Sequence, residues 1–70
     1  MPALGDQHPA VATWYNNIGE AWRALGEYDK AIGFHQKALD IGLPALGDKH
    51  PSTQTVKENL EIAVRKLNSQ

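Results

Sequence analysis

Hydrophobic residues recur along this chain with the period of a helix, and no window alternates as a strand does. Between residues 9 and 25 they fall at Val11, Trp14, Tyr15, Ile18, Ala21, Trp22 and Leu25, a spacing that predicts one helix with a broad buried face. Pro9 suits its first turn, where a missing N–H is harmless, and His8 falls at or near the N-cap. Gly26 is placed to end it. A second stripe, Tyr28, Ala31, Ile32, His35, Ala38 and Leu39, predicts a helix starting near Glu27. Gly42 and Pro44 end or bend that helix. A third helix is predicted over 51–68, with Val56, Leu60, Ala63, Val64 and Leu67 on one face. Two short links make successive helices antiparallel, so the fold class is all-α.

The chain also repeats itself. Residues 2–9 read PALGDQHP and residues 44–51 read PALGDKHP, seven matches in eight positions at an offset of 42. Beyond the proline the match thins but holds at Thr13 and Thr55, Asn17 and Asn59, Ala21 and Ala63, Arg23 and Arg65, and Leu25 and Leu67. Ile18 answers Leu60, and Trp14 answers Val56. One full unit, about residues 4–45, is therefore followed by the first half of a second, about 46–70, within a single domain of residues 1–70. Gly5 and Gly47 mark the turn that heads each unit. Asp6 and Asp48 follow, close enough to favour a helix dipole.

Seventy residues bury a small core. No cysteine is present, which excludes disulfides and thiolate metal sites and fits a reducing, cytoplasmic compartment. The formal net charge of −1 argues against a nucleic-acid or anionic-membrane surface. No apolar run approaches the ~20 residues that span a bilayer. The first residues lack the charged and apolar regions of a signal peptide.

The combination Tyr15, Ile18, Gly19, Trp22 and Gly26, continued by Tyr28, Ala31 and Ala38, resembles a tetratricopeptide repeat. The period of 42, the LGDxHP heading and the YNNIG segment are similar to the kinesin-light-chain-like branch of that family. The resemblance implies an antiparallel helix-turn-helix unit, a fragment of an α-solenoid, in which Gly19 and Ala31 let two helices approach closely. His35 stands where the family usually has an aromatic, and its ring is expected half-buried and neutral. Helix three departs further: Lys57, Glu61 and Val64 replace Tyr15, Gly19 and Trp22. Glu61 in place of the small residue disfavours a following partner helix, so helix three is expected to be a C-terminal cap.

In the family, the first helices of successive units line a concave groove for extended peptides. The resemblance thus implies a protein or peptide partner and assigns the groove to Asn16, Asn17, Glu20, Arg23, Asn59, Ile62 and Arg65. Equivalent amides at Asn17 and Asn59 offer a donor and an acceptor to any peptide backbone, and Arg23 and Arg65 suit a carboxylate. The alternative is that these residues form a solvated helix face.

His8, His35 and His50 lack the accompanying ligands of a metal site, and capping or packing accounts for them. Neither Ser52 nor Ser69 is placed with a base and an orienting group, and no glycine-rich phosphate loop occurs. An enzyme, a bound metal and a cofactor are therefore not expected. One apolar surplus remains: Trp14, Phe34, Ile41, Leu43 and Leu46 exceed what three helices bury. They point to an interface with an adjacent repeat or with another copy of the chain, including an exchange of helix three between copies.

Overall fold

The computed structural model describes residues 8–69, which form α1 (Pro9–Ala24), α2 (Tyr28–Leu46) and α3 (Pro51–Asn68). Among the described residues there is no strand. Residues 2–7 of the first repeated heading, with Gly5 and Asp6, lie outside them.

The two first-in-unit helices start the same way because their headings are the same. His8 Nδ1 accepts from the Ala10 N–H at 3.1 Å, and His50 Nδ1 accepts from the Ser52 N–H at 3.1 Å. Each imidazole is the N-cap, ahead of a proline that needs no acceptor. Asp48 turns instead to Lys57, with which it forms an ion pair.

Helix α1 ends in a Schellman turn. The Glu27 N–H reaches the Trp22 carbonyl at 3.0 Å, and the Gly26 N–H reaches that of Arg23 at 3.0 Å. This turn holds Gly26 at φ +83°, a left-handed conformation that a side chain rarely adopts. Gly42 and Pro44 do not end α2, which runs past both to Leu46. Pro44 lies exposed inside the last turns, and the stop comes at Gly47, with φ +90°.

Helix α2 lies between the other two, antiparallel to each, so α1 and α3 run parallel and touch little. The result is a slab of 41 × 28 × 13 Å. Its core is made of small residues. Ala31, Ala38 and Ala63 are wholly buried, joined by Ala12, Val56 and Ile41. Gly19 and Gly42 are buried beside them. Small residues let the helix axes approach, and the larger rings close the edges. Tyr15 stacks on Phe34 with centroids 6.1 Å apart.

Three expectations change. The apolar stripe of α1 is split rather than buried as one face. Its Ala12–Tyr15–Trp22 side meets α2, while Trp14, Ile18 and Leu25 stay 53, 41 and 73 % exposed. A single neighbouring helix covers only one side of so wide a stripe. His35 is fully buried, not half-buried, because the missing side chain of Gly19 makes room for the whole ring. Ile41 is core, and so is withdrawn from any surface that could meet a partner.

Candidate functional site

Parallel α1 and α3 leave a furrow between them, floored by α2, and the polar side chains of the two helices meet across it. At its centre is Asn16. Its Oδ1 accepts from Asn59 Nδ2 at 3.2 Å and lies 2.8 Å from His35 Nδ1. An oxygen already accepting from an amide needs a donor on the imidazole, so Nδ1 carries the His35 proton. One carbonyl oxygen thereby ties together all three helices.

The other imidazole nitrogen, Nε2, stands 3.5 Å from Glu20 Oε1. Neither atom has a hydrogen-bond partner among the described residues. The second oxygen of Glu20 is held by Arg23 at 2.7 Å. Burial pushes the His35 pKa below its ordinary value; Glu20 opposes that shift and Arg23 adds to it. The ring is therefore neutral in the folded protein at neutral pH.

On either side of the asparagine pair the furrow opens into a depression. Toward the helix N-termini is a cavity of about 150 Å³, bounded by Ala12, Thr13, Ala38, Gly42, Thr53 and Val56. Toward the C-termini is a shallower space of about 310 Å³ among Glu20, Arg23, Ala24, Tyr28 and Lys66. Arg23 is held by Glu20, and Lys66 has no ion pair among the described residues. Two cations against one carboxylate make this end electropositive.

The sequence-predicted groove residues are only partly gathered here. Asn16, Glu20, Arg23 and Asn59 are brought together and half-buried. Asn17 is exposed on α1, so the amide that Asn59 meets is Asn16 and not its repeat equivalent. Ile62 is half-buried. Arg65 is 69 % exposed and paired with Glu61 on its own helix. Thr53 and Lys66 are not picked out by the sequence, and Gly42 is read there only as an end or bend of the second helix. No motif marks them, and they meet the site only through packing.

Of the remaining apolar candidates, Trp14 and Leu43 are exposed and Leu46 is half-buried. Phe34 is half-buried and engaged with Tyr15. No group of three metal-ligating side chains occurs among the described residues. No described helix is long and apolar enough to cross a membrane.

A family model described as tetratricopeptide repeat matches residues 10–70 of the chain. No curated protein and no solved structure matches it.

Proposed function

We propose, because this chain belongs to the tetratricopeptide repeat family of protein–protein interaction modules, that its furrow between α1 and α3 holds an extended segment of a partner protein. The observation that carries the reading is the pair of depressions flanking Asn16 and Asn59. From Thr13 to Arg23 the helix rises ~15 Å, the length of about four extended residues. Asn59 Nδ2 is spent on Asn16, but its oxygen stays available to a backbone N–H of the ligand. Arg23 and Lys66 favour a carboxylate at the C-terminal end of the furrow.

Selection of displayed peptides against the immobilised chain tests this. Enriched peptides are expected to lose at least about tenfold in affinity on Asn59→Ala combined with Lys66→Glu, a loss of ~1.4 kcal/mol or more. They should bind normally to Lys37→Ala on α2. If no peptide is enriched, or the furrow variant binds as well as the parent, the reading fails.

A second reading, self-association or docking on an adjacent repeat, is supported by the repeat itself. In α3, which packs chiefly against α2, Val56 is 6 % and Ala63 0 % exposed. Their equivalents on α1, Trp14 and Ala21, are open. What covers α3 marks out the face of α1 that a further helix would cover. Under this reading light scattering gives a mass above that of one chain, and Trp14→Glu returns it to the monomer. Trp14 is a cleaner probe than Phe34, which packs within the chain. A monomer at every concentration removes the self-pairing version.

A further inference from the structure

The two depressions of the furrow differ in chemistry. The one toward the helix N-termini, about 150 Å³, has Ala12, Ala38, Gly42 and Val56 in its walls and no ionisable side chain. Thr53 offers an occupant no polar atom, because the residue is 1 % exposed and its Oγ1 is closed off within the packing. A charged side chain placed there would lose its water without a counter-charge. An apolar one exchanges water for aliphatic walls. A cavity of about 150 Å³ holds a group of benzene's size, so it has room for a leucine side chain. The depression toward the C-termini has Arg23 and Lys66 against Glu20, a surplus of positive charge that complements a carboxylate.

Helix α1 fixes the distance between them. Ala12 and Asn16 edge the first depression, and Glu20 and Ala24, each eight residues further along, edge the second. Eight helical residues rise ~12 Å. An extended chain covers that distance in three to four residues, at ~3.3 Å each. Its side chains alternate in direction, so two that both point into the furrow are an even number of residues apart. A spacing of four meets both conditions.

We infer that the furrow selects a partner segment carrying a leucine-sized apolar side chain and an acidic side chain four residues apart, the first in the cavity beside Gly42 and the second against Arg23 and Lys66. The inference rests on the peptide-binding reading and gives it a sequence preference.

Amide chemical shifts of the full chain at low salt, titrated with acetyl-Leu-Ser-Ala-Ser-Glu-amide and with the same peptide in reverse order, test it. The better order is expected to saturate with a dissociation constant on the order of 100 μM. Its shifts should centre on Ala12, Gly42 and Val56 at one end and on Glu20, Arg23 and Lys66 at the other. Alanine in place of the peptide's leucine should weaken binding about tenfold. Glutamine in place of its glutamate should weaken binding about threefold, and so should moving the glutamate one residue nearer or farther. Gly42→Ala adds a methyl to the cavity at ordinary contact distances, 3.7 Å from Thr53 Oγ1 and 4.0 Å from Ala12 Cβ, so the fold accepts it. That variant should lose most of the preference for leucine over alanine and keep the preference for glutamate. Lys66→Glu should do the reverse.

The inference is overturned if the leucine and alanine peptides bind the parent chain equally, if a spacing of three or five serves as well as four, or if the shifts centre elsewhere. These comparisons are made on the parent chain, so they stand whether or not a variant folds. Such a failure is separable from failure of the peptide reading. Displayed peptides enriched on the furrow and lost with the Asn59 and Lys66 variants would still stand, with a different sequence preference.

Discussion

Replacing Gly19 with alanine is expected to lower the thermal midpoint by roughly 8–16 °C, a net loss of ~2 kcal/mol. Alanine is the better helix former, by up to ~1 kcal/mol, and on an open helix surface it would stabilise. At Gly19 the space is taken. A Cβ there would stand 2.9 Å from His35 Cε1 and Nδ1 and 3.0 Å from Nε2. All three are atoms of one rigid ring that is wholly buried and held by Asn16, so it cannot swing aside as a flexible side chain would. The helices must part instead, and overpacking of this kind typically costs ~1–3 kcal/mol, placed here at the upper end. A domain this small has only a few kcal/mol to lose.

Thermal unfolding followed by circular dichroism measures the effect, with Gly33→Ala as the control. Gly33 is exposed, and its missing side chain would meet nothing within 4 Å. That change should raise the midpoint. In a His35→Ala background most of the penalty at Gly19 should disappear, since the three nearest atoms to the added Cβ all belong to that ring. A Gly19→Ala midpoint at or above the parent's would sink this account of the α1–α2 contact.

The second large effect is a loss of stability on mild acidification, traced to His35. Its folded pKa is lowered, by burial above all, against the ordinary value of 6.5. The sign follows directly. Between the folded value and 6.5 the unfolded chain binds the proton more readily, so acid favours unfolding. The contribution is fully present above 6.5 and is lost as the pH falls below it toward the folded value. Glu20 pulls the other way and Arg23 reinforces the shift. The thermal midpoint should therefore fall between about pH 7.5 and pH 5.5, and His35→Gln should flatten that fall. Equal slopes in parent and variant would show that His35 is not the source. A midpoint that rises on acidification would show that attraction to Glu20 outweighs burial.

Both effects arise at a contact whose partners the sequence named without their geometry. Gly19 and Ala31 were legible as close-packing residues, and His35 as a departure from an aromatic position. That the ring lies on Gly19 required the structure. The apolar surplus divides in the same way. Trp14 was marked as surplus and is open, whereas Ile41, marked in the same way, is core. Both count as large apolar residues in the sequence, and the direction of each side chain relative to α2 separates them.

The helices, their order and most of their ends were settled by short-range chemistry. Three-and-four spacing, His–Pro at each first-in-unit start and Gly26 in a left-handed turn act within one helical turn, so they survive in any window of the sequence. The 42-residue repeat added that α1 and α3 are equivalent pieces of one array. Tertiary structure decided what depends on distant residues meeting. It chose Asn16 rather than Asn17 as the partner of Asn59, opened a cavity over Gly42 against Thr53, and left one side of α1 uncovered. A helix face is set by period alone, but which half of that face is buried depends on how many helices arrive to cover it. Each side chain adds its own rotamer to that choice, and neither is written in the local pattern.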